Sequence, residues 1–456
     1  PPVKGVKIMV EYSSDDYSLD KQFIKNEPEE PLNFAISYSP IDQFNIRSFY
    51  VNGNTVGVQL NLQVNPNDYA GGDYLEDAPQ PFYSIPLPIK DIKMDNIWDE
   101  VDKTLSYENI HMIGHKITES EVIVIIENNY YTSNSQSIGR TLRILSRYIP
   151  KKYNIFSVIL SKYDIPISKT SFDRTELEIL IDAPNAELFA KKIRNLSDVP
   201  AQVLDVNQRK IKKLDYAFSP YYRLHLFDPD KPLYYDIGPE LFVRYKLRNG
   251  SYLEGSFDTS LISTFDEIHR GAKGNLPHVR TDLRNYLNVL DPRIRNLQLS
   301  SIYKISPKTY GRISAGILEP MFSGISNEIL MLNAYPNLSL GAEINYVKKR
   351  DYNQLFGLRE LNGMANFNGH VSAYWDTKYK YYTGQLDIGR YLAGDDGGTI
   401  TVSRNFPNGW KIGGHFSLTN ASFDDFGEGS FDKGFFLRIP FASITPYEGR
   451  SGLMEH

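Results

Sequence analysis

The chain has 456 residues, no cysteine and a formal net charge of −5, from 50 Lys plus Arg against 55 Asp plus Glu. That balance lacks the basic footprint of a nucleic-acid binder, and zero cysteine excludes disulfide frameworks, zinc–cysteine centres, iron–sulfur clusters and a thiol nucleophile. Hydrophobic residues make up 41% and aromatics 13%, enough apolar surface to exclude global disorder. No apolar run approaches the ~20 residues of a membrane helix. A soluble protein is the first reading, and a membrane β-barrel, whose strands carry no such run, is the second.

Pro1-Pro2-Val3-Lys4 has no basic segment followed by an apolar core, so the chain reads as starting after processing or as a segment of a longer protein. Residues 1–90 read as short strands. Phe34, Ile36 and Tyr38 alternate with small or polar neighbours, and Asn52-Gly53-Asn54 is a hairpin signal between Ile46–Val51 and Val56–Val64. Residues 66–88, rich in Pro and Gly, read as a linker. Residues 91–210 change character. Ile97, Val101 and Leu105 fit a short amphipathic helix, and Glu121–Ile126 a compact strand. Ser133–Tyr148 fits a helix stopped by Pro150. Asn154–Leu160 and Thr175–Ile181 read as strands, Pro184–Arg194 as a helix and Ala201–Val206 as a last strand. The order β-α-β-β-α-β predicts a ferredoxin-like unit built on a split βαβ.

Residues 211–456 switch to long alternating strands. Leu338, Leu340, Ala342, Ile344 and Tyr346 share one face, and Asn337, Ser339, Gly341, Glu343 and Asn345 the other. Phe367, Gly369, Val371, Ala373 and Trp375 stand against Asn368, His370, Ser372 and Tyr374, and the pattern repeats around Trp410–Leu418 and Phe435–Phe441. A sandwich with one solvated face and a membrane barrel both give this alternation. Strand length near nine to eleven residues, aromatics near strand ends and the lack of an interrupting helix favour the barrel.

Chemistry-bearing constellations are sparse. His111 and His115 lack helical context and a carboxylate partner, so no metal is expected there. Asp395-Asp396 and Asp424-Asp425 read as turn acids, and Gly139-Arg140 as a solvated helix face with an anion site as its alternative. The segments Gly389–Gly398, Ser403–Gly409 and Phe426–Gly434 have two readings. One is hairpin turns whose ion pairs pin register. The other is an inward ring of Arg390, Asp395, Arg404, Glu428 and Asp432 that sets the charge of a lumen or contacts a hydroxyl-rich polymer. Glu343, Asn368 and Tyr374, on the polar side of their strands, join that candidate surface.

Gly389-Arg390-Tyr391-Leu392-Ala393-Gly394-Asp395, Ser403-Arg404-Asn405-Phe406 and Gly427–Gly434 resemble the C-terminal part of the YjbH family. Ser314–Glu319, Met321–Ile325, Lys349–Tyr352 and Glu127–Tyr131 are similar to further parts of it. The resemblance implies an antiparallel outer-membrane β-barrel, mainly β, with an inserted α+β periplasmic domain. It further implies a Gram-negative outer-membrane location, a part in exopolysaccharide or capsule export, and no enzymatic activity or cofactor. The partners it implies are the polymer, outer-membrane lipid and polysaccharide-export proteins, with no nucleic acid. Residues 1–90 are then strands of an upstream or second barrel. The rival readings are a periplasmic or secreted polysaccharide-modifying enzyme, and a structural anchor of the envelope.

Overall fold

The computed structural model describes residues 5–14, 30–41, 44–63, 79–83, 94–131, 133–180, 195–199, 207–208, 213–226, 231, 233–248, 250–268, 274–280, 282, 285–286, 292–406, 409–427, 431–440 and 452–454. The chain is mainly β and divides into two compact units, Pro1–Ala70 and Gly71–His456.

The first unit is an antiparallel sheet of β1 (Val6–Tyr12), β2 (Leu32–Ile41), β3 (Phe44–Val51) and β4 (Thr55–Leu62), paired in sequence order. Asn52 (φ 58°) and Gly53 (φ 76°) form the β3–β4 turn, where two successive positive φ angles match the twist of a hairpin. Ile8, Ile36 and Val58 fall on one cross-strand row of this sheet and are exposed.

The second unit begins with an α/β layer. Helix α1 (Met94–Tyr107) buries Ile97, Trp98, Val101 and Leu105 against the sheet. Strands β5 (Ile110–Ile117) and β6 (Glu121–Asn128) are antiparallel, and helix α2 (Asn134–Tyr148) crosses over to β7 (Ile155–Lys162), parallel to β6. Ser133 Oγ caps α2 by accepting from Ser135 N at 3.2 Å, and Ile149 before Pro150 ends it. Strand β8 (Ile165–Asp173) pairs β7, then helix α3 (Arg174–Leu180) follows, with β9 (Asn195–Asp198) and β10 (Asn207–Gln208) at the two edges.

Three expectations are corrected here. Thr175–Ile181 is helical from Arg174 to Leu180, not a strand, because Asp173 Oδ1 accepts from the backbone N–H groups of Thr175 and Glu176 at 2.8 and 3.1 Å. That cap terminates β8 and starts α3. The sheet order β10-β5-β6-β7-β8-β9 makes the parallel strands β6 and β7 direct neighbours, so the βαβ is not split and the layer is not ferredoxin-like. Arg140 is neither solvated nor open to an anion: it is buried and ion-paired with Glu108, its guanidinium 4.9 Å from the centre of the Tyr131 ring. The expected helix Pro184–Arg194 and strand Ala201–Val206 lie outside the described residues.

The rest is one large antiparallel sheet. Its strands are β11 (Leu214–Leu226), β12 (Leu233–Arg248), β13 (Ser251–Asp258), the short β14 (Ile262–Ser263), β15 (Arg293–Ser306) and β16 (Thr309–Ile317). Then come β17 (Phe322–Tyr335), β18 (Leu338–Arg350), the short β19 (Leu358–Arg359), β20 (Phe367–Asp376), β21 (Tyr382–Arg390) and β22 (Asp396–Asn405). Strand β23 (Lys411–Thr419), the one-turn helix α4 (Phe423–Phe426), β24 (Asp432–Pro440) and β25 (Gly452–Met454) complete it. The long strands pair in sequence order, with β14 on β12 and β19 on β18. Up-and-down order gives the sheet two ends of different character. Connections 249–250, 307–308, 336–337, 377–381 and 406–410 lie at one end, and 227–232, 259–292, 318–321, 351–366, 391–395 and 420–431 at the other.

The α/β layer docks on the short-turn end. Tyr163 (φ 53°) and Asp164 (φ 63°) form the β7–β8 turn. The Tyr163 ring stacks on Tyr252, centroids 4.8 Å apart and 13° from parallel, and the Tyr163 carbonyl accepts from Gly250 N at 3.0 Å. Arg244 lies 5.2 Å from the Tyr163 ring centre, Lys246 Nζ is 3.6 Å from Glu127 Oε2, and Lys304 Nζ donates to Pro166 O at 2.9 Å.

Candidate functional site: the polar face of the large sheet

Strict alternation gives the sheet two chemically opposite faces. Met331, Leu340, Ala373, Leu386, Ile400 and Phe416 occupy one cross-strand row, and Ala342, Val371, Ile388 and Leu418 fall on another row of the same face. Val371 is 63% exposed, Ile344 59% and Phe435 81%. An apolar surface of this extent on a folded sheet requires a partner or a lipid phase.

On the opposite face the rows are polar and mutually hydrogen-bonded. Ser372, Asp387, Thr399, Ser417 and Asp432 form one row across five strands. Ser372 Oγ donates to Asp387 at 2.6 Å, and the Thr399 and Ser417 hydroxyls meet at 2.7 Å. Asn345 donates to Asn368 at 3.2 Å, Glu343 Oε1 lies 3.2 Å from His370 Nδ1, and Arg312 pairs with Glu328 at 2.7 Å.

Toward the long-loop end this face carries a buried charge cluster. The wholly enclosed Arg293 donates to Asp258 Oδ1 at 2.7 Å, to Tyr221 Oη at 2.6 Å and to Asp236 Oδ2 at 3.2 Å. Arg223 and Arg295 also pair with Asp258. Arg293, Asp236 and Asp258 are enclosed and satisfy one another, while Arg223 and Arg295 reach them from partly exposed positions.

Residues 274–280 and 282 of the connection between β14 and β15 lie across the same end as a strap. Lys349 Nζ, fully enclosed, donates to the carbonyls of His278 and Val279 and to Asp282 Oδ1. Arg280 pairs with Glu319 at 3.0 Å, and Asn275 N donates to Asp425 O at 2.9 Å. Tyr286, Met321, Phe322 and Val347 form a small apolar core beneath it. Burial of Tyr286 pushes its hydroxyl pKa well up, so it stays a donor, here to Arg350 O at 2.6 Å. A cavity of about 280 Å³ lies under the strap, lined by Arg312, Ser314, Asn345 and Asn368.

The proposed ring of Arg390, Asp395, Arg404, Glu428 and Asp432 is corrected. Arg390 lies two residues beyond Ile388, and Arg404 two beyond Val402, so both share the apolar side of their strands. They also stand at opposite ends of the sheet. Arg390 makes a bidentate pair with Asp396 at 2.9 and 3.0 Å across the β21–β22 hairpin, the register-pinning arrangement. Arg404 donates to Lys380 O at 3.2 Å and lies 4.6 Å from the Phe406 ring centre. Asp395 sits in the β21–β22 turn, where its carbonyl accepts from Tyr391 N at 2.9 Å. Asp432 lies on the polar face, 3.9 Å from His415 Nε2. Glu428 lies outside the described residues. Glu343, Asn368 and Tyr374 do fall on the polar face. The Arg293 cluster and Lys349 were missed. Asp258 and Arg293 are register partners, a relation that is visible only once the strands are paired across the 259–292 connection.

His115, half of the histidine pair, stacks on Trp98 with centroids 3.8 Å apart, an aromatic packing role.

Residues 1–453 match the family described as "Exopolysaccharide biosynthesis protein YbjH". The chain belongs to the YjbH family. It is similar to the "Uncharacterized lipoprotein YjbH" of Escherichia coli (strain K12), 25% identical over 458 aligned residues that cover 99% of this chain and 65% of that protein. The chain therefore spans about two thirds of the length of its curated relative. The YjbH description is one of polymer biosynthesis, and it meets here a sheet whose polar side is built of hydroxyl, amide and paired charged groups. Among the described residues no helix is long and apolar enough to cross a membrane.

Proposed function

We propose that the large sheet closes in the outer membrane as a β-barrel and that its polar face guides an exopolysaccharide across. The observation that carries this reading is the pairing of a continuous exposed apolar face with an internally hydrogen-bonded polar face on one meander of long strands. Such a sheet suits lipid on one side and a hydrated lumen on the other.

The strap ties two non-adjacent parts of the sheet on its polar side: Asn275 donates to Asp425 in the β23–β24 connection, and the His278 carbonyl accepts from Lys349 at the end of β18.

Orientation follows from the two ends. Outer-membrane barrels carry short turns on the periplasmic side and long loops outside. The α/β layer docks at the short-turn end, which makes it periplasmic and available to export partners. The strap and the connections 351–366 and 420–431 then face the exterior. The role proposed is passage, with no bond made or broken. The name of the relative, a lipoprotein, supports an envelope location.

Extraction that requires detergent, together with gel mobility that changes on heating, is expected of the inserted barrel. Glu343→Trp, which places a bulky ring mid-strand on the polar face, should stop polymer appearing outside the cell while insertion persists. Normal secretion by an inserted Glu343→Trp variant would overturn the route, and a monodisperse protein in plain buffer would overturn the barrel.

A further inference from the structure

A groove of about 460 Å³ opens on the polar face at the short-turn end, within the ~300–1,000 Å³ typical of ligand pockets. Its floor is a cross-strand row, Ser339, Tyr374, Gln385 and Thr401, and a neighbouring row of Asp376, Thr383 and Ser403. Asn333 near the end of β17, Asn337 in the β17–β18 turn and Asn405 at the end of β22 stand on its rim.

The Tyr374 ring lies along the sheet over Gly341, where a Cβ would come within 3.3 Å of Tyr374 Cε2. Glycine at 341 thereby lets an aromatic ring lie down on the neighbouring strand. The same ring lines the groove. Asp376 pairs with Lys378, and Lys411 Nζ lies 5.6 Å from the Phe436 ring centre. Gln385 Nε2 donates to Asp387 at 3.0 and 2.9 Å, and the Thr383 and Ser403 hydroxyls meet at 2.9 Å, which holds the floor in place beneath the rim amides of Asn333 and Asn337. An amide offers a donor and an acceptor side by side, which matches neighbouring hydroxyls of a sugar. An aromatic face is electron-rich and attracts the polarised C–H groups of a pyranose ring.

We infer that this groove is a carbohydrate subsite at the periplasmic mouth, with Tyr374 as its stacking platform and Asn333 and Asn337 as hydroxyl partners. The inference deepens the reading of the polar face as a polysaccharide route and rests on it. A chain arriving from the periplasm meets this groove before the mid-strand Glu343 and Asn345 and the buried charge cluster beyond.

The test uses the full chain in detergent and, as probe, exopolysaccharide recovered from the host medium, cut to short end-labelled oligosaccharides. Fluorescence polarisation should show saturable binding. Tyr374→Ala should weaken it about tenfold, the equivalent of one good aromatic contact, and Tyr374→Phe should stay within about twofold because the ring remains. Heat-modifiable mobility reports folding of each variant. No saturable binding to the parent chain, or equal binding by Tyr374→Ala, overturns the subsite. Normal secretion by Glu343→Trp alongside lost binding by Tyr374→Ala overturns the route and leaves the subsite standing.

Discussion

Arg350 has no room for water around it, and its guanidinium is directed at backbone. It donates to the carbonyls of Ile294, Glu319 and Pro320 at 2.9, 3.1 and 2.9 Å, and to those of Gln354 and Leu355. One cation thus gathers two connections and the start of β15 at the long-loop end. Replacing it with Met would strand several buried acceptors, each worth roughly 1–3 kcal/mol when left unmade. We expect Arg350→Met to lower the temperature at which the folded gel band converts, and to speed protease cleavage of the strap. Unchanged cleavage would show that the strap holds without it. Asp164 makes the contrasting case at the docked turn. Burial raises its pKa above the ordinary value, more than the nearby Lys246 lowers it. A raised acid binds protons more tightly folded than unfolded, so stability falls as pH rises from the unfolded pKa through the folded one. Asp164→Asn should remove that slope and also suit the positive φ of the turn. Melting curves from pH 3.5 upward would check it, and an unchanged pH slope would refute the assignment.

At the scale of the strand, parity decides which substitutions matter. Ile344 and Val371 lie on the apolar face near mid-strand. Lys or Arg on the lipid face of a barrel costs about 2–4 kcal/mol at the midplane and little near the interfaces. Ile344→Lys should therefore destabilise the folded form strongly, while Asn345→Lys, one residue on and facing the other way, should be tolerated. Equal effects would argue against a lipid-facing row. The same parity rule moved Arg390 and Arg404 off the polar face. An inward ring with Asp395 and Asp432 is therefore not formed. A strand turns its side chains alternately, so nearness in sequence is not nearness in space.

At the scale of the molecule, the testable feature is which end faces out. The chain has no cysteine, so a single introduced thiol reports its own position. Asp424→Cys, exposed in the connection holding α4, should react with a membrane-impermeant maleimide on intact cells. Pro336→Cys, exposed in a short turn at the docked end, should react only after the outer membrane is opened. The reverse pattern would invert the orientation and place the α/β layer outside.

The sequence by itself determined the mainly β class, the long alternating strands, the hairpin at Asn52-Gly53, helices α1 and α2 and the family. Each of these depends on local periodicity, capping or turn chemistry, which act over a few residues. It also placed Glu343, Asn368 and Tyr374 on the polar side, because alternation is a property of one strand. Only the tertiary structure decided the rest. The adjacency of β6 and β7 follows from which edges pair, and no local pattern encodes that. Arg293 meets Asp258 across the connection 259–292, and Asn275 meets Asp425 from far along the chain. The Tyr374 platform needs Gly341 on a different strand to lie flat. Such contacts form when strands fix their register, so the buried charges and the groove became visible only with the strands in place.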